Sequence, residues 1–273
     1  MENPNIPILT IPAKTETHTH TVVFLHGRGD NTKNFTFSLS RWRDTQGRTI
    51  FERFPSFRWV FPQAPTREAT SCSGAWPPQW FDVWNVRDFA DREEVQTEGL
   101  KQVVPVIRNI IRDEATALGG DWTRVVLAGI SMGAATGVHT LFNLNIPAEG
   151  GGRLGAFLGF SCRCPFAGRD LAGMRNVLEL DNVPESDTVV ANTPVLLEHC
   201  ADDPLVLVQN GQRMRDILRG FGAQVEWKEY SSGRHWFQSP NGVEDMAAFL
   251  NQHVLGTKSL NHSDRIDISC IAC

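Results

Sequence analysis

The sequence has no surplus of basic residues: 26 Lys plus Arg stand against 31 Asp plus Glu, a formal net charge of −5. Neutralising a phosphate backbone needs Lys and Arg gathered on one face, and no window supplies them, so nucleic acid is excluded as a partner. The six cysteines have no regular spacing, which argues against a disulfide framework and for a reducing compartment. Residues 1–21 are polar and interrupted by proline, and no basic stretch leads into an apolar one, so no secretory signal is read there. One uncharged run, 125–148, is long enough to suggest a membrane span, but Gly129, Ser131, Gly133, Thr136, Gly137, His139 and Asn143 interrupt it. A buried strand turning into a buried helix accounts for that mixture better than lipid does. The expectation is a cytoplasmic protein.

With 41% hydrophobic and 21% charged residues, the chain can bury a sizeable core. Short apolar, β-branched runs at 21–25, 58–61, 125–129, 154–160, 194–198 and 224–230 read as strands. Helical spacing recurs at 93–117, 134–142, 206–219 and 243–253, with Pro105 expected to kink the first of these or shift its start. Between 62 and 92 lies a long loop rich in Pro and Trp, and loops of that length in compact domains are often functional. Strands alternating with helices imply an α/β fold, a mostly parallel sheet covered on both faces. The expected organisation is an N-terminal extension at 1–20, one domain at 21–254 and a flexible tail at 255–273.

The chemistry starts at Gly129-Ile130-Ser131-Met132-Gly133, which follows an apolar strand and precedes a helix of small residues. A sharp strand-to-helix turn presents a serine in a strained backbone, and side chains in place of the flanking glycines would collide with neighbouring chain. A serine hydroxyl needs a base to take its proton and a carboxylate to fix that base. In the chain order serine, acid, histidine, His235 is the base that hangs from a loop after a strand, whereas His253 ends an amphipathic helix and His262 lies in a polar tail. Asp203, in Asp202-Asp203-Pro204, directly follows a strand and is the expected acid, with Asp202 the second choice. The oxyanion hole needs two backbone N–H groups, expected from Met132 and from Arg28 in the Gly27-Arg28-Gly29 loop. No metal or other cofactor is expected; His18 and His20 lack further ligands nearby.

Trp76, Trp80, Phe81 and Trp84 cluster in the long loop, and Trp236 adjoins the candidate base, so these rings are expected to line a pocket for an acyl or aromatic group. The chain closes on Cys270-Ile271-Ala272-Cys273, the pattern of prenylation on Cys270. Such a chain would bring the protein to a membrane surface without spanning it.

Phe24-Leu25-His26-Gly27-Arg28-Gly29-Asp30, Phe61-Pro62-Gln63-Ala64-Pro65, Trp80-Phe81-Asp82, the Ser131 pentapeptide, Asp203-Pro204-Leu205-Val206 and His235 resemble, in order and approximate spacing, the acyl-protein thioesterase and carboxylesterase family of small α/β-hydrolases. The resemblance implies an α/β-hydrolase fold and the same three residues, Ser131, Asp203 and His235, in an acyl-enzyme mechanism. It also implies thioester or ester substrates, on acylated proteins, lysophospholipids or small carboxylic esters. Two departures bear on substrate: Met132 stands where relatives resemble Gly-x-Ser-Gln-Gly, and Cys162-Arg163-Cys164-Pro165 stands where they tend to carry Trp-Leu-Pro. A reading of another class, a silent hydrolase-fold binding module, has no need of all three residues in order.

Overall fold

A computed structural model describes residues 4–72 and 74–256; Cys270 and the 257–273 tail lie outside them. Seven strands, β1 (Ile8–Ile11), β2 (His20–Leu25), β3 (Phe57–Pro62), β4 (Val125–Ile130), β5 (Ala156–Phe160), β6 (Val195–Cys200) and β7 (Val225–Tyr230), form one sheet in the order β1-β3-β2-β4-β5-β6-β7. Only β1 runs antiparallel to its neighbour; every other pairing is parallel. The helices are α1 (Thr32–Leu39), α2 (Ile50–Arg53), α3 (Val95–Ala117), α4 (Met132–Phe142), α5 (Leu171–Asn176), α6 (Thr188–Asn192), α7 (Val208–Gly220) and α8 (Asn241–His253).

Strand β1 corrects the N-terminal boundary, because Ile8–Ile11 pairs with Trp59–Pro62 and so belongs to the sheet rather than to an extension. Its four residues are all at least partly exposed, which is why no buried apolar run marked it. Helix α3 runs through Pro105 without a break. The prolyl ring sits on its partly exposed side, where water can meet the carbonyl left without a donor one turn back.

The sheet is buried on both faces, and residue alternation in β4 shows how. Val125 and Leu127 point into the core shared with α3 and α4, while Val126, Ala128 and Ile130 point into the aromatic core under α1, α2 and α8. That second core is built from Phe24, Phe35, Trp42, Phe160 and Phe237, with the Trp42 and Phe237 rings stacked at 4.5 Å.

The chain winds from β2 to β3 on one side and returns to β4 on the other. The C-terminal ends of β2 and β4 therefore face a topological switch point, the place where open α/β sheets leave a crevice. The two loops that leave there begin at His26 and Ser131.

Candidate active site

The backbone turns from β4 into α4 at Ser131, whose φ of 55° and ψ of −122° are strained for a residue with a side chain. The glycines on either side make this turn possible. A Cβ on Gly129 would lie 2.5 Å from the Ala134 nitrogen, and one on Gly133 would overlap the Leu25 and His26 carbonyls. Helix α4 therefore packs its first turn onto the backbone at the end of β2. The Ser131 N–H donates to the Phe160 carbonyl of β5 (2.9 Å), which fixes the turn from the other side.

His26 organises the loop after β2. Its Nε2 accepts the Ala64 N–H (3.0 Å), so the proton sits on Nδ1, which donates to the Gly27 carbonyl (2.8 Å). Burial pulls its pKa below the ordinary histidine value, against the opposing hydrogen bond to Gly27, and keeps the ring neutral. Trp80 donates its indole N–H to the His26 carbonyl at 2.8 Å. The loop is thereby held from both ends with the Arg28 N–H free of any partner among the described residues; the Met132 N–H at the start of α4 is free in the same sense. Arg28 and Met132 line one cavity with Ser131 and His235.

Asp203 follows β6 and is almost completely buried. One carboxylate oxygen accepts the backbone N–H groups of Leu205 (2.9 Å) and Val206 (3.0 Å), and the other lies 2.7 Å from His235 Nδ1. Nε2 of His199 shares its single proton between the Val206 carbonyl at 2.8 Å and that second oxygen at 3.3 Å. Burial alone would raise the Asp203 pKa, but hydrogen bonds from His199, His235 and the Val206 N–H outweigh it and hold the carboxyl ionised, well below the usual aspartate range. Asp202, the second choice for the acid, is exposed and caps the backbone N–H of Arg234 at 2.7 Å. His199 had no sequence signal, since it precedes the acid on a buried strand; its spacing of four from Asp203 acquires meaning only once the chain turns after Cys200.

The cavity that contains Ser131, Arg28, Met132 and His235 has a volume of about 620 Å³ and is mainly apolar, with Val83, Val86, Phe89, Ile130, Leu205, Val206 and Trp236 in its wall. Four of the five rings expected to line it do not. Trp80 and Phe81 are fully buried beneath the site, because Gly99 of α3 lets the Phe81 backbone press directly against the helix. Trp76 is 60% exposed, and Trp84 stacks against the Arg92 guanidinium 4.2 Å from its ring centre. Of the five rings, Trp236 is the one that lines this cavity.

Two buried thiols near the site are disabled as nucleophiles. Burial pushes the Cys164 thiol up to about 12 and the Cys162 thiol higher still, so both stay protonated. His139 is fully buried two turns into α4, with Nε2 3.2 Å from the Pro165 carbonyl. Among the described residues, no three His, Cys, Asp or Glu side chains group as a metal site, and no helix is long and apolar enough to cross a membrane.

The sheet order and the strained serine turn between a central parallel strand and a buried helix define an α/β-hydrolase. The chain belongs to the Phospholipase/Carboxylesterase family, whose model matches residues 7–254. It is 29% identical over 257 residues to acyl-protein thioesterase 1 of Gibberella zeae, an alignment covering 93% of this chain and 98% of that protein. Acyl-protein thioesterase 1 of Yarrowia lipolytica is 27% identical over 251 residues, covering 91% and 96%. The crystal structure of Zea mays acyl-protein thioesterase 2 superposes with a TM-score of 0.70 at 26% identity, covering 91% of this chain and 99% of that one. The protein is a hydrolase of this family.

Proposed function

We propose that the enzyme cleaves acyl esters and thioesters with Ser131 as nucleophile, His235 as base and Asp203 as the carboxylate that orients it. The observation that carries the reading is the 2.7 Å contact between His235 Nδ1 and a buried, ionised Asp203, in a cavity that also contains Ser131. A histidine whose Nδ1 proton is fixed on Asp203 presents Nε2 as the lone-pair nitrogen, the tautomer needed to take a hydroxyl proton.

Attack of the Ser131 Oγ on the carbonyl carbon forms a tetrahedral intermediate, while His235 takes the hydroxyl proton. The Arg28 and Met132 N–H groups stabilise the oxyanion, an interaction of the kind that contributes about 3 kcal/mol per donor in serine hydrolases. His235 returns the proton to the departing alcohol or thiol. Water, deprotonated by the same nitrogen, then releases the acid and restores Ser131. Met132 contributes through its backbone, so the change from the Gln of related elbows leaves the donor intact and makes the wall less polar.

The apolar wall suits the acyl part of a substrate, and the names of the fungal and plant relatives support thioesters among the bonds cleaved. The sequence adds a cytoplasmic enzyme brought to membrane surfaces by a prenyl chain on Cys270, which mass spectrometry of the C-terminal peptide from a eukaryotic host reads directly.

A fluorophosphonate probe tests the site. The wild-type chain is expected to be labelled on Ser131 and Ser131→Ala to remain unlabelled, with ester turnover reduced by at least about 10³-fold. Equal labelling of the two would overturn the assignment.

A further inference from the structure

The chain is acidic overall, yet the charged residues that line the Ser131 cavity are Arg28, Arg87 and Arg163 against a single carboxylate, Asp30. None of the three arginines forms an ion pair among the described residues. Arg28 is held by neutral groups, donating to Gln79 Oε1 and Ser71 Oγ at 2.8 Å each.

Arg163 is the unusual one, because it is only 7% exposed and its one hydrogen bond among the described residues runs to a neutral amide, Gln96 Oε1, at 2.7 Å. Its guanidinium lies 4.1 Å from the Phe89 ring centre and 5.6 Å from that of Phe81. Glu93 faces the guanidinium from a smaller adjoining cavity without forming an ion pair. Burial lowers its pKa to about 10, so it remains a cation at neutral pH.

Burying a cation costs several kcal/mol, and one neutral hydrogen bond with two ring contacts offsets only part of that. The unused donors of a planar guanidinium match the two oxygens of a carboxylate or phosphate. Position supports the same reading. Arg163 stands three residues beyond Phe160, whose carbonyl accepts the Ser131 N–H, so it overlooks the sheet edge one strand away from the nucleophile.

We propose that Arg163 binds an anionic group of the substrate, and that the preferred substrates are esters or thioesters carrying a carboxylate or phosphate near the scissile carbonyl. The anion is a spectator: no bond to it forms or breaks, and water adds to the acyl carbon as in any hydrolysis. This specificity rests on Ser131 being the nucleophile.

The test compares matched substrates on the full chain: mono-4-nitrophenyl glutarate against 4-nitrophenyl valerate for the carboxylate, and a lysophosphatidate against the corresponding monoacylglycerol for the phosphate. The wild type is expected to favour the anionic member of at least one pair by about tenfold or more in kcat/KM. Arg163→Gln is expected to lower that ratio by about 30-fold, the scale of a charge-assisted hydrogen bond, and Arg163→Lys to retain part of it. The pair with the larger ratio identifies the source of the anion. Wild-type ratios near one for both pairs, or ratios unchanged in a folded Arg163→Gln, would overturn the proposal. If that variant does not fold, competitive inhibition of the wild type by glutarate or inorganic phosphate, weakening with salt, decides in its place, and no inhibition counts against it. Fluorophosphonate labelling of Ser131 separates the two levels. Labelled enzyme with flat ratios refutes the anion site alone, whereas unlabelled Ser131 removes both.

Discussion

Nε2 of His199 lies 3.3 Å from Oδ2 of Asp203, with both side chains completely buried. That oxygen also faces His235, so within the proposed triad His199 would act as a positioning residue through the carboxylate. His199→Phe keeps a ring beside Trp227 but removes the donor. The expected result is a fall in kcat of about tenfold with a much smaller change in KM, equivalent to about 1.4 kcal/mol of lost transition-state stabilisation. Steady-state kinetics on a neutral aryl ester checks it; a change confined to KM would show that His199 merely shapes the cavity.

Gly133 is the tightest packing point of the site. Its absent side chain lets α4 rest on the Leu25 and His26 carbonyls. Backbone atoms cannot swing aside as a flexible side chain does, so Gly133→Ala is expected to lose about 3 kcal/mol or more of stability and nearly all activity. Urea unfolding gives the first quantity, and an intact midpoint in Gly133→Ala would contradict the packing.

Two tryptophans of the same loop are expected to behave differently. Trp80→Phe removes the N–H donated to the His26 carbonyl and leaves a buried acceptor unpaired, a loss of about 2 kcal/mol. Trp76→Ala, at an exposed position, is expected to change stability by no more than about 0.5 kcal/mol and kcat/KM by less than about twofold. Thermal melts and aryl-ester kinetics on the pair distinguish anchoring from substrate contact.

Glu198 of β6 is buried, and neither carboxylate oxygen has a hydrogen-bond partner among the described residues, since the Tyr230 hydroxyl donates to Asp245 at 2.8 Å instead. Burial first, and the nearby Asp245 second, raise its pKa well above the ordinary glutamate value. In the unfolded chain the carboxyl loses its proton near pH 4.3, whereas in the folded one it keeps it. The unfolded state therefore binds fewer protons across that window, and stability falls as pH rises through it. Glu198→Gln is expected to raise the urea midpoint, by more at pH 8 than at pH 5. A gain independent of pH would show that the buried carboxyl is not the cause.

The strained turn at Ser131, the proposed nucleophile, was legible because it imposes a local grammar: an apolar strand, glycines where backbone approaches backbone, and a helix of small residues. His235 and Asp203 followed from chain order and from their places just after strands. The pocket wall was not legible in the same way. Aromatic content marked the 62–92 loop as important, but which way a loop ring points depends on what it meets, and Trp80 and Phe81 met His26 and Gly99. Strand β1 escaped because an edge strand shows no buried run. Arg163 was visible only as part of the Cys162–Pro165 departure, and its burial without an ion pair among the described residues emerges only in three dimensions.

The seating of Gly133 on the Leu25 and His26 carbonyls packs together the two loops that carry the proposed oxyanion donors. The catalytic floor thus leaves evolution and protein engineering little freedom, since a change in either loop disturbs both donors at once. Val86 and Arg87 in the cavity wall are exposed and carry no such constraint. Substrate range in this scaffold is therefore separable from rate, and variation aimed at new esters belongs on that wall.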